Sequence, residues 1–303
     1  MTLLSDFHVY FGPDALEARP ALRRLAARDC WIALGEGFDD FRAMPSYVAF
    51  VGALYAAGGV AIASLSSFAN ALHLIFPFAA GFALVGPFLA VGLYEASRRR
   101  EAGLAIDWRD AFAVLRSPAL PAVAVLGLAL FAVFALWIAA AQGLYVWLYG
   151  PDPPTAAAAF FGDVLTTGRG WTLIVVGGLV GFGFAAAALC LSVVSFPLLL
   201  DRDVGLVVAV AASLRLARDN PRVVALWGLI VAALLIVGSL PLFAGLAVAL
   251  PTLGHATWRF YRRAVVREPA RERPLDAPRG PSPQRSPRFH TTPHSFLFPG
   301  PEA

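Results

Sequence analysis

Residues 220–263, NPRVVALWGLIVAALLIVGSLPLFAGLAVALPTLGHATWRFYRR, decide how this chain is read. Arg222 stands near one end, Arg259, Arg262 and Arg263 at the other, and no acidic or basic side chain apart from His255 lies between them. About 20 residues cross a ~30 Å hydrocarbon layer, so the stretch is too long for one span and fits two. Arginine is retained mostly on the cytoplasmic side of a membrane. Both flanks are therefore expected there, with the apolar stretch going in and returning through a turn near Ser239, Leu240 and Pro241.

The rest of the chain repeats this pattern. Of 303 residues 58% are hydrophobic and 15% charged, a balance that excludes an ordinary soluble domain. All 24 basic residues are arginine, a side chain suited to the membrane edge because its stem lies on apolar surface while the guanidinium reaches phosphate. No charged residue occurs between Arg42 and Glu95. The apolar runs predict six spans, at about 46–66, 72–95, 119–148, 171–196, 222–240 and 242–260. Between them the arginines partition 23 to 1, five before the first span, five after the second, four after the fourth and nine after the sixth, with Arg169 alone on the other side. That asymmetry predicts a multi-pass membrane protein of six spans with both termini cytoplasmic.

Three amphipathic segments precede the spans. From Cys30 to Met44, Trp31, Leu34, Phe38 and Phe41 recur at helical spacing while Glu36, Asp39, Asp40 and Arg42 take the other face, predicting an interfacial helix with its aromatic side toward lipid or neighbouring helices. Trp108, Phe112 and Leu115 mark a second, and residues 204–219 a third that is interfacial or core-facing. Each ends at a proline, Pro45, Pro118 and Pro221, and a further proline sits late in each returning span, Pro87, Pro197 and Pro251. An interfacial helix plus a transmembrane hairpin used three times is the expectation. Prolines within spans, Pro77 and Pro87 among them, predict kinks. Gly177 and Gly181 have the spacing of a close helix contact. Residues 1–27 read as a loosely ordered arm and 264–303, with nine prolines, as a disordered tail.

Candidate chemistry is sparse. Glu95, Asp201, Arg202 and Asp203 cluster at the inner ends of spans two and four, placed to pair with neighbouring charges, bind a head group or gate a path. His255 and Trp258 lie near the inner end of span six, and Asn220 and Pro221 open span five. His73 and His255 belong to opposite leaflets, which disfavours haem or copper held between spans. No HExxH, P-loop or GxSxG occurs, no serine, histidine and acid set can be placed together from sequence, and no cofactor or enzymatic activity is expected. The two cysteines, Cys30 and Cys190, predict small buried side chains rather than a disulfide or metal site. Expected partners are the bilayer, anionic lipid at the cytoplasmic face, and a membrane protein partner or second copy, with no nucleic acid.

GPFLAVGLYEASRR at 86–99, LTTGRGW at 165–171, SVVSFPLLLDRDV at 192–204, ARDNP at 217–221 and LPTLGHATWRFYR at 250–262 resemble a bacterial family of predicted integral membrane proteins, number 2189 among the domains of unknown function. The likeness covers about 22–265. The resemblance implies a multi-span protein of the bacterial inner membrane and carries no established activity. The expected function is non-enzymatic transport or binding of a lipid-like or small apolar solute, with a scaffold or accessory subunit of a membrane complex as the alternative.

Overall fold

The computed structural model describes residues 20–44, 77, 90–104, 117, 119–151, 157–202, 204–240 and 245–266. Apart from one isolated bridge, its regular elements are helices: α1 (Ala27–Ala43), α2 (Val91–Glu101), α3 (Leu120–Tyr149), α4 (Ala157–Thr166), α5 (Gly168–Ser192), α6 (Ser195–Asp201), α7 (Leu206–Asp219), α8 (Pro221–Ser239) and α9 (Leu246–Ala264). The span predicted at 46–66, most of that at 72–95, Pro45, Pro87, Pro118, Asp203, the stripe at Trp108 to Leu115, the first 19 residues and those after 266 lie outside the described residues.

Among the described residues three helices are long and apolar enough to cross a membrane: α3, the run Gly168–Asp201 that contains α5 and α6, and α8. The described chain is thus all-helical with three candidate spans, and the six-span arrangement and the threefold repeat are not carried by these residues. Helix α9, the returning arm of the opening stretch, misses the criterion because Arg259, Arg262 and Arg263 occupy its last turns. It nonetheless pairs with α8 as a hairpin. Near the turn, a Cβ on Gly245 would lie 2.8 Å from the Gly238 backbone, and at the other end Trp227 stacks on Phe260 at 4.8 Å. Without a hydrophobic driving force between helices in lipid, such close contact between small residues holds spans together. Helices α3 and α5 use the same device, Trp137 lying over Gly181 and Leu144 near Gly177, so that glycine pair packs within the chain.

Most of the buried core gathers at one end of these helices. It takes in the start of α3 (Ala122, Val123, Leu126, Leu130), all of α6, the inward face of α7 (Val208, Ala209, Ala212, Leu216), the start of α8 (Val223, Val224, Trp227) and the second half of α9. Farther along, Leu179 and Phe182 of α5 and Ile236 and Val237 of α8 are exposed, the surface a bilayer covers. At the far end Tyr145 stacks on Tyr149, Phe160 of α4 meets both edge-on, and Arg169 lies over the Tyr149 ring while pairing with Asp163 at 2.8 Å.

The run from α5 to α6 breaks at Val193–Val194. Pro197 explains it: proline has no N–H to give the carbonyl four residues back, and its ring crowds that carbonyl. The hydroxyls of Ser192 and Ser195 bond to the Ala188 and Leu191 carbonyls, which further bends a helix. Gly205, at φ +76°, reverses the chain into α7, a conformation glycine tolerates without strain. Residues 204–219 therefore form the core-facing helix that was one of two expectations, its Ser213 hydroxyl bonding to the Cys190 carbonyl at 2.7 Å.

Helix α1 takes one of its two expected orientations, with the aromatic side away from the neighbouring helices. Its buried face is Cys30, Ala33, Gly37 and Asp40, while Trp31 and Phe38 are exposed. The small residues allow α1 to lie flush on α9, Gly37 against the main chain of Ala256, and the acid at the end of that stripe points inward with them.

Candidate functional site

Beyond the apolar start of α9, His255, Arg259 and Arg262 follow at spacings of four and three, which puts them on one helical face. That face and its flank meet acids from three other elements. Arg259 holds both Asp40 carboxylate oxygens, at 2.8 and 2.9 Å. Arg262 donates to Glu101 of α2 and Asp201 of α6, each at 3.1 Å. Trp258 donates its indole N–H to Glu101 at 3.1 Å, Tyr261 its hydroxyl to Asp201 at 2.6 Å, and Arg263 pairs with Glu36 and Asp29. Helix α9 is therefore the hub on which α1, α2 and α6 converge.

Asp40 binds partners on two other helices. Although only 1% exposed, it also receives Arg100 and the Ser97 hydroxyl, the latter at 2.8 Å. Burial pushes its carboxyl up, but the hydrogen bonds from Arg259 and Ser97 and the neighbouring positive charge outweigh burial and hold it below the ordinary carboxylate range. Charge-assisted bonds of this kind are the stronger class, and the two-oxygen grip of Arg259 adds direction.

Ser97 also lies 2.8 Å from Nδ1 of His255, which brings together a serine, a histidine and an acid that the sequence alone did not assemble. The order of the three decides what they can do. In a nucleophilic triad the histidine stands between serine and acid and takes the serine proton. Here serine stands between histidine and acid. Its single proton goes to the ionised Asp40, which leaves none for the imidazole to take. Among the described residues the Thr252 hydroxyl, one turn earlier, has no hydrogen-bond partner. Ser97 and His255 are each fully buried. The arrangement is a buried polar row of His255, Ser97 and Asp40, with the serine hydroxyl donating to the acid.

The remaining expected residues divide. Glu95 is buried and held within α2 by Arg98, at 2.7 and 2.8 Å, and by Arg99 at 3.0 Å. Arg202, beside Asp201, donates to the Val266 carbonyl at 2.6 Å. Asn220 and Pro221 stand apart from the network. Pro221 opens α8 at the first helical position, where its missing N–H costs nothing, and Asn220 latches the segment before α1, accepting from Leu25 N–H at 2.8 Å and donating to the Arg23 carbonyl at 3.4 Å. Pro197 lies at the α5–α6 break, and Pro87 and Asp203 fall outside the described residues. Asp40, Ser97, Arg100, Glu101, Arg259 and Tyr261 are the participants that sequence reading missed. A stripe of small residues leading to Asp40 is the one local signal that pointed to it. Among the described residues no group of three or more metal-ligating side chains forms.

Half of this network comes from one continuous segment, from Glu95 to Asp201, and that segment is similar to a known family. Residues 75–201 match the DUF2189 family of predicted integral membrane proteins. The match is narrower than the likeness read over 22–265, and it includes α2 to α6. Within the DUF2189 segment lie Glu95, Ser97, Arg98 to Glu101, Pro197 and Asp201; their partners Asp40, His255, Trp258, Arg259 and Arg262 lie outside it. No curated protein and no solved structure gives a significant match.

Proposed function

We propose that this chain is a non-enzymatic, six-span membrane protein that binds or moves a lipid-like or small apolar solute, with both termini on the cytoplasmic side. The observation that carries the solute reading is the helix broken over Pro197. Interrupted helices at membrane depth occur where protein covers the irregular backbone or where it lines a path, and solute-binding membrane proteins are built around them. Val193 and Val194 are buried in the apolar core, so the break is covered by protein on the side that faces the other helices. A non-enzymatic role is supported by Ser97, whose hydroxyl is buried and committed to Asp40.

An even number of crossings supports the topology. The chain on either side of the bundle is joined by an antiparallel bridge, Leu22 with Val265, closed by Arg23 N–H to the Ala264 carbonyl and Val266 N–H to the Ala21 carbonyl, both at 2.9 Å. Residues so bonded share a side of the membrane. Three candidate spans are odd; the return of α9 makes four, and the uncharged run from 43 to 94, long enough for two more, makes six. Reporter fusions after residue 70 and after Ala303 on opposite sides are the expected result, and fusions on the same side count against six.

Replacing Pro197 by alanine should straighten the run and change solute binding or flux, read by native mass spectrometry of gently extracted protein and by transport in vesicles. Unchanged binding and flux would remove the basis for the solute reading. The accessory-subunit reading puts a protein partner in place of lipid on part of the apolar face of α5, at Trp171, Val175, Leu179 and Phe182. A stoichiometric protein partner in the same spectrum, with no small ligand, would favour it.

A further inference from the structure

Arginines at the buried end fall into two populations. Those of α2 and the end of α9 are matched to acids: Arg98 and Arg99 to Glu95, Arg100 and Arg259 to Asp40, Arg262 to Glu101 and Asp201, Arg263 to Glu36. Around Asn220 the pattern reverses. Arg23 and Arg24 of the extended segment, Arg28 in the first turn of α1 and Arg222 in the first turn of α8 are exposed, and none has an acidic partner among the described residues. Arg218 pairs with the adjacent Asp219 at 3.3 Å, both well exposed, a contact of small consequence in water.

The main chain sets these residues side by side. Leu25 N–H and the Arg23 carbonyl are bonded to Asn220, Arg215 reaches the Pro20 carbonyl at 3.4 Å, and Cys30 Sγ contacts the Val223 carbonyl at 3.7 Å. The acids nearest in sequence are already engaged, Asp29 with Ala26 N–H and Arg263 and Asp219 with Arg218. Five guanidinium groups therefore flank one junction with little opposing charge. Arg222 is the second residue of a candidate span, which fixes that junction at the boundary between lipid and water.

We propose that the surface formed by Arg23, Arg24 and Arg28 with Arg218 and Arg222 docks the phosphate head group of an anionic phospholipid in the adjoining leaflet. Guanidinium groups match phosphate in shape and charge, and the α8 helix beside them offers apolar surface, Leu229 among it, for the acyl chains. This site is separate from the charge network and does not depend on the solute reading.

The test uses the full chain in mixed micelles, with phosphatidylglycerol and phosphatidylcholine as probes and native mass spectrometry as the readout. Wild type should retain phosphatidylglycerol selectively. The variant R24Q/R28Q/R222Q should bind it roughly a hundredfold more weakly, about fivefold per arginine, with the same melting temperature because all three side chains are exposed. A control of equal charge, R279Q/R285Q/R288Q, should bind as wild type does. Undiminished binding by the first variant, or an equal loss in the control, would overturn the proposal. So would displacement of the lipid by inorganic phosphate, or recovery of a nucleic acid or acidic protein at this surface in its place.

Discussion

Replacing Asp40 by alanine removes the acceptor on which α1, α2 and α9 meet. The carboxylate is 1% exposed and receives Arg259 at both oxygens, Arg100, and the Ser97 hydroxyl. Removing one partner of a buried ion pair costs about 3–5 kcal/mol because the other charge is left uncompensated. Arg100, at 36% exposed, can turn to water, whereas Arg259, at 19%, is less able to, which places the expected loss near 3 kcal/mol. The assay is denaturant or thermal unfolding of the reconstituted protein followed by tryptophan emission, since Trp227 and Trp258 are both buried. The double variant D40L/R259M should be less destabilised than D40A, because it leaves no unmatched charge at that contact. The same carboxyl sets an acid limit. Its pKa is lowered on folding, so its contribution is complete above the unfolded aspartate value of about 3.9 and is lost as pH falls through the lower folded value. Wild type should lose stability over that acid window more steeply than D40N. A D40A protein within about 1 kcal/mol of wild type, with unchanged acid sensitivity, would refute the claim that the network holds these helices together.

Two further outcomes follow from α1. Gly37→Val should lift α1 from α9, because its side chain would meet the Ala256 main chain, which cannot move aside as a side-chain tip can; a loss of about 1–3 kcal/mol and faster proteolysis before Met44 are expected. Cys30, its thiol pushed up to about 11 by burial and by Asp29, should resist maleimide at pH 8 in the folded protein and react on unfolding, since the thiolate is the nucleophile.

The hairpin of α8 and α9 was legible because charge and apolar length are local properties of a sequence, and the break above Pro197 because proline acts on its own helix. The identity of α1's inner face was not. On an amphipathic helix beside a membrane, aromatic residues are satisfied by lipid as well as by protein, so the aromatic stripe of Trp31 and Phe38 does not say which side faces the bundle. Close approach selected the small stripe, and Asp40 went inward with it. The chain from His255 through Ser97 to Asp40 joins residues 158 and 57 positions apart, a separation at which no spacing rule operates. Asn220 stands out in the sequence before a span, yet its bond to Leu25 depends on where the preceding segment crosses α8.

Counting arginines treats every guanidinium on one side as the same kind of signal, and the structure separates them by partner. Arg259, Arg262 and Arg263 mark the side of the membrane on which α9 ends, and they are also the residues that bind Asp40, Glu101, Asp201 and Glu36. Substituting them changes topology signal and fold stability together, so a misfolded variant at these positions says little about orientation. Arg24, Arg28 and Arg222 carry the same orientation signal with no acidic partner inside the described fold. Moving charge at those three positions alone is therefore the way to separate how the chain is oriented and what lipid it holds from what keeps its helices packed.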